Sequence, residues 1–208
     1  MTYYFMKTKT IQYLFFFCFA GYLFLLTSCQ QESGGGGTIQ SQKPKLGTRW
    51  VYRYSTYNPQ GNFQSSMNVV YKAVTEETLG GESWLKIIDS ATSTTIFYLK
   101  EKTGGLYIYA NNSSNLLCKY PAAINDTYTS FNGADTANYT VTGVNDILSL
   151  GVIGDVVVTD YEGTKTGQTV DKLWYSTKMW IVQRYFYRKL LLGTYYRYAT
   201  LILQDFSY

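Results

Sequence analysis

The chain contains no histidine, and that absence limits what its other reactive residues can do. Without an imidazole, neither a serine nor a cysteine has the usual base that activates it as a nucleophile. The common zinc sets and the facial iron triad lose their nitrogen ligand as well. Three cysteines and 14 acidic side chains remain. Two carboxylates can still act as an acid–base pair, as in glycoside hydrolysis. The acids, however, read as turn residues: Glu76-Glu77 ahead of Leu79-Gly80-Gly81, Asp135 after Gly133, and Asp171 after Gly167. No Asp-x-Asp-x-Asp calcium loop occurs. The sequence predicts no catalytic residue, no metal site and no cofactor, and leaves a hydrolase only as a minor alternative.

The cysteines point elsewhere. Lys7 and Lys9 precede an apolar stretch from Ile11 to Leu26, roughly 16 residues against the ~20 that a spanning helix needs. Leu26-Thr27-Ser28-Cys29 follows it and resembles the bacterial lipobox. The thiol there would receive a diacylglyceryl group at the membrane surface, and small neighbours would let a peptidase reach the preceding bond. Residues 1–28 are therefore expected to be a lipoprotein signal peptide and Cys29 the lipidation site, carrying palmitate-like chains. Two or three acyl chains at about 0.8 kcal/mol per buried methylene hold far more firmly than one. Cleavage would remove Cys18 and leave Cys118 as the mature chain's thiol, so no internal disulfide can form. Cys118 sits in the strand-like run Leu116-Leu117-Cys118-Lys119-Tyr120 and reads as a small buried hydrophobe.

Residues 29–46, with Gly34 to Gly37 at their centre, read as a flexible linker. No Asp follows Cys29 directly, and Glu32 is the acid nearest to it, which fits outer-membrane sorting and leaves the periplasmic or surface face open. Loss of Lys7 and Lys9 takes the net charge from +4 to +2, and no basic block exceeds Arg188-Lys189, so no nucleic-acid partner is expected.

Residues 47–208 read as one all-β domain: a single curved antiparallel sheet or half-open barrel of roughly ten strands. Aromatic and β-branched runs alternate with Gly, Asn, Asp and Ser punctuation. Thr48 to Tyr54 places Trp50, Tyr52 and Tyr54 on one face. Further strands are read at 63–74, 83–88, 94–100, 106–110, 116–120, 138–144, 155–162, 170–175, 179–188 and 195–203. Pro121 stops central pairing after the fifth of these, and Gly193 closes a final hairpin. Asn111 to Asn115 reads as a polar loop, and Asn145 to Leu150 as one helical turn capped by Asn145 or Asp146. Most of the 22 tyrosines are expected to stack across strands, with some free to line a cleft.

Gly47-x-x-Trp50-x-Tyr52, Gly105-Leu106-Tyr107, Lys119-Tyr120-Pro121 and Leu173-Trp174-Tyr175-Ser176 occur in an order that resembles a set of uncharacterised bacterial envelope lipoproteins. Some of these are similar to the curved sheets of lipoprotein carriers. Such relatives often carry Gly-Leu-Val after the late strand, where this chain has Met179-Trp180-Ile181-Val182. The resemblance implies a non-enzymatic binding or assembly role, with a lipid-like ligand or a protein segment on a concave sheet. A glycan-binding module is the alternative, with Trp180, Tyr185, Tyr187, Trp50 and Tyr52 as stacking candidates. Ligand-binding residues stay unassigned. Asp89-Ser90-Ala91 and Asp135-Thr136-Ala137 resemble envelope O-glycosylation acceptors.

Overall fold

Buried and more exposed positions alternate along strand segments such as 49–52 and 161–164, the mark of a sheet with one face turned inward. In a computed structural model, which describes residues 43–132 and 135–208, twelve strands form one antiparallel sheet. They are β1 (Arg49–Tyr57), β2 (Phe63–Leu79), β3 (Glu82–Asp89), β4 (Thr95–Lys102), β5 (Gly105–Ala110), β6 (Ser113–Lys119), β7 (Thr127–Asn132), β8 (Asp135–Leu150), β9 (Gly154–Lys165), β10 (Gln168–Ser176), β11 (Trp180–Lys189) and β12 (Tyr195–Ser207). Every strand pairs with its neighbour in sequence except across one gap, and β1 pairs with β12. The sheet order therefore runs from β6 down to β1, on to β12 and down to β7.

Such an order brings the two edge strands, β6 and β7, face to face. Tyrosine hydroxyls span the gap: Tyr128 donates to the Leu117 carbonyl at 2.8 Å, and Tyr161 donates to that of Lys119 at 2.5 Å. Both hydroxyls are pushed well above their ordinary pKa, by burial first, and remain neutral donors. The expected curved sheet is thus a nearly closed barrel whose exposed edges shield each other.

Three local expectations change. Asn145 to Leu150 continues β8 as strand, because Asn145 adopts φ 60° at a register shift and lets the chain bend without leaving the sheet. Asn111 and Asn112, at φ 53° and 57°, make a two-residue turn, so β6 begins at Ser113 rather than after a loop. The short polar strand β7 carries too little apolar alternation to stand out in sequence. The Gly193 hairpin and the end of pairing before Pro121 are as expected.

The lumen is filled by the protein's own side chains. Leu173 pairs with Arg184 on one side and Tyr161 on the other, and Tyr161 with Val141, giving one inward layer across four strands. In the next layer Gly163 lies beside Tyr139 and Asp171. A Cβ at Gly163 would come within 2.9 Å of the Tyr139 ring, so the missing side chain is what admits that ring.

Candidate functional site

Two polar clusters lie inside this apolar barrel. At its middle Arg184 makes a two-point contact with Asp171, Nε to Oδ1 at 3.0 Å and Nη2 to Oδ2 at 2.7 Å. The Tyr139 hydroxyl donates to the same Oδ2 at 2.6 Å. All three side chains are buried. Burial alone would lower the Arg184 pKa; the Asp171 carboxylate holds it above its ordinary value. Asp171, expected in a turn, is a fully satisfied core anion.

The second cluster lies at the end of the barrel where β11 begins. Residues 43–48 cross it as a strap, pinned by Gly47 N–H to the Ala73 carbonyl and by Lys45 N–H to the Thr48 hydroxyl, each 2.9 Å. Lys43 Nζ reaches Glu101 Oε1. Beneath the strap is a cavity of about 340 Å³ lined by Leu85, Leu99, Lys100, Glu101 and Trp180. Trp180 and Leu99 also line an apolar cavity of about 40 Å³ on the lumen side, with Trp50, Tyr52, Tyr71 and Phe97. The smaller space has room for about one water, not for an acyl chain.

Polar atoms here are buried without protein partners: Glu101 Oε2, Trp180 Nε1 and the Tyr175 hydroxyl. Burial, then Cys118 and Glu101, raise the Tyr175 pKa, which places the glutamate close to that hydroxyl. Tyr175 also lines a cavity of about 220 Å³ beside Ser176, Lys178 and Tyr120. Trp180 adopts φ 65°, a conformation rare for a bulky residue and costly by about 1–3 kcal/mol. Its ring is held by stacking on Trp50, 6.1 Å between centroids at 24°, while Trp50 Nε1 donates to the Met179 carbonyl at 2.9 Å.

The five stacking candidates separate. Trp50, Tyr52 and Trp180 are buried in the core and offer no platform to a sugar. Tyr185 and Tyr187 face outward. Tyr185 meets Trp174 edge-on at 4.9 Å, and Arg197 lies 5.0 Å over Tyr185 and 4.8 Å over Tyr57. Trp174 and Arg197 escaped the sequence reading because cross-strand partners are set by register. Glu76 and Glu77 lie within β2, and Asp135 within β8, rather than in turns.

A third grouping sits on the outer face of β8 and β9. Asp146 and Asp160 converge over Gly143, where a Cβ would stand 2.0 Å from Asp146 Oδ2 and 3.3 Å from the Asp160 carboxyl carbon. Asp160 is raised to about 6, by burial and then by Asp146, with a Trp174 hydrogen bond opposing. Among the described residues no third metal-ligating side chain joins them.

Cys118 is buried against Leu106, and burial pushes its thiol far above the ordinary range, as befits a small core hydrophobe. Ser90 is exposed in the β3–β4 turn, which Asp89 Oδ1 closes by accepting from Ala91 N–H at 2.8 Å. Thr136 belongs to strand β8 opposite Phe131, not to a turn. Cys29 and residues 1–28, expected to be a signal peptide, lie outside the described residues. Among those described, no helix is long and apolar enough to cross a membrane.

No protein-family model matches the chain, and no curated protein matches it. Among solved structures it is similar to one described as an outer membrane lipoprotein-sorting protein domain from Vibrio parahaemolyticus, at 11% identity over 81% of this chain and 88% of that one, with a TM-score of 0.25.

Proposed function

We propose that this protein is an envelope lipoprotein, acylated at Cys29 and held at a bacterial membrane, most simply the outer one. Its barrel end binds a short protein segment without chemistry. The observation that carries the binding role is the buried, unpartnered set Glu101 Oε2, Trp180 Nε1 and Tyr175 hydroxyl around the strap. A folded protein leaves such groups unpaired at a cost of about 1–3 kcal/mol each. A peptide amide supplies both complements, an N–H for the glutamate and a carbonyl for the indole. The cavity of about 340 Å³ matches the lower end of ligand pockets, ~300–1,000 Å³, and displacement of Lys43 from Glu101 would open it. A lipid-like ligand is less well served, because the apolar cavity beside Trp50 and Tyr71 offers only about 40 Å³.

Titration of the detergent-solubilised full chain with short synthetic peptides, followed by tryptophan fluorescence, tests the reading. Saturable binding is expected, weakened about tenfold by Glu101→Gln, the scale of one lost charged hydrogen bond. Saturation by a fatty acid alone, indifferent to Glu101→Gln, would replace the peptide reading with the lipid one, and saturation by neither would end it. The anchor is tested separately by a fatty-acid label that Cys29→Ala should abolish.

A further inference from the structure

We infer that the β11–β12 hairpin tip is a membrane-contacting device that seats in the surface of an anionic bilayer. This is independent of acylation at Cys29 and of the peptide site, which lies at the other end of β11. Leu191 and Leu192 are 106% and 95% exposed, as complete an exposure as a side chain can have. The turn that presents them is ordered. Leu190 N–H donates to the Thr194 carbonyl at 2.7 Å and Gly193 N–H to that of Leu190 at 2.9 Å. Gln168 braces it from the next hairpin, its amide spanning the Gly193 carbonyl and Tyr195 N–H.

Charge and aromatic content then select the partner. Arg188 and Lys189 are exposed just before the leucines, and Arg197 follows on the return strand between the Tyr57 and Tyr185 rings. From Lys172 to Gln204 the chain has no acid, and none occurs from Lys43 to Thr75. Those two stretches supply β1, β11, most of β12 and the first part of β2, which are neighbours in the sheet. Arg188, Lys189 and Arg197 therefore have no acid on β11 or on the facing part of β12 to pair with. Strand rise is about 3.3 Å per residue, so Lys189 and Arg188 stand ~7–10 Å behind Leu191 at the tip. That is the level of lipid phosphates when an apolar element is sunk ~5–10 Å into the interface. Tyr195 and Tyr196 flank the same level, where an apolar ring with a polar tip is suited to the water boundary. Phe63, 60% exposed on the β1–β2 hairpin, packs on Tyr57 at 6.2 Å and adds an apolar group at the same barrel end. A second copy of the chain is the poorer occupant. Several of its acids are engaged by lysines, among them Glu77 by Lys86, Glu82 by Lys102 and Glu162 by Lys172.

Hydrogen–deuterium exchange of the full chain, reconstituted in vesicles of equal parts phosphatidylcholine and phosphatidylglycerol or of phosphatidylcholine alone, reads the tip directly. The N-terminal segment is then common to both samples. Amides of residues 190–194 are expected to exchange at least about tenfold more slowly on the anionic vesicles. The effect should shrink at high salt, as headgroup attraction is screened, and be weakened by Lys189→Gln. Leu191→Ser with Leu192→Ser should abolish it while exchange in β10 stays unchanged, which separates lost contact from lost fold. Unchanged tip exchange on anionic vesicles overturns the proposal. So does equal, salt-independent slowing on both vesicle types. Slowing that grows with protein concentration in the absence of lipid assigns the tip to a second copy instead.

Discussion

The two polar clusters inside the barrel share the same apolar surroundings and differ in their bookkeeping of hydrogen bonds. At the middle, the Asp171 carboxylate oxygens take Arg184 and Tyr139 with good geometry. At the strap end, Glu101, Tyr175 and Trp180 each leave a buried atom unpartnered, and Trp180 holds a left-handed backbone as well. A closed network of buried polar groups fixes one arrangement of a core, whereas an open one leaves bonding capacity that something else can complete. The difference separates a part that shapes the barrel from a part available for recognition.

The sharpest way to break that contrast is to open the closed network. Asp171→Ala leaves Arg184 charged and buried without its counterion. Unfolding stability in urea should fall by about 3–5 kcal/mol, the cost of breaking a buried pair from one side. Replacing both partners, Asp171→Leu with Arg184→Met, should recover most of the loss, since paired burial contributes little net stability. Should the single change leave the urea midpoint where it was, Asp171 is not the closed centre described here. Gly163→Ala, the next largest effect, crowds the Tyr139 ring at 2.9 Å. It is expected to cost about 1–3 kcal/mol by overpacking, and a loss near zero would mean that the Tyr139–Asp171 contact is free to shift.

How far this contrast was visible beforehand follows from what a strand pattern encodes. Period-two alternation around Trp50, Tyr52 and Leu173 locates strands and their inward faces, and Pro121 and Gly193 mark where pairing stops and turns. It says nothing of which strands become neighbours. Asp171, four residues after a turn glycine, read as a turn acid because Arg184 and Tyr139 approach it only through the registers of β10 with β11 and of β8 with β9. Glu101 and Trp180 share a cavity although 79 positions separate them in the chain, and no local signal joins them. Strand β7 escaped because its inward residues, Tyr128 and Ser130, are too few to form a pattern. The anchor proposed at Cys29 is the converse case, readable only as a linear signal and independent of the fold.

The Asp146–Asp160 pair on the outer face lies between the two interior clusters in character, and its effect is the smallest. Asp160 ordinarily ionises near 3.8 and is held at about 6 here by burial and by Asp146. The folded chain therefore binds the proton more tightly than the unfolded one. Ionisation withdraws stability as pH rises from about 4 to about 6, and the penalty is complete above that. Asp160→Asn removes the charge and keeps an oxygen for the Trp174 indole. Because the carboxyl is only half-buried, solvent screens much of the interaction, and the Tm gain at neutral pH should be about 2–4 °C, fading toward pH 4. Asp146→Asn should give a smaller gain over the same range, since it lifts the repulsion but not the burial. A gain from Asp160→Asn that persists unchanged at pH 4 would show that the substitution acts through packing against Trp174 rather than through ionisation of Asp160.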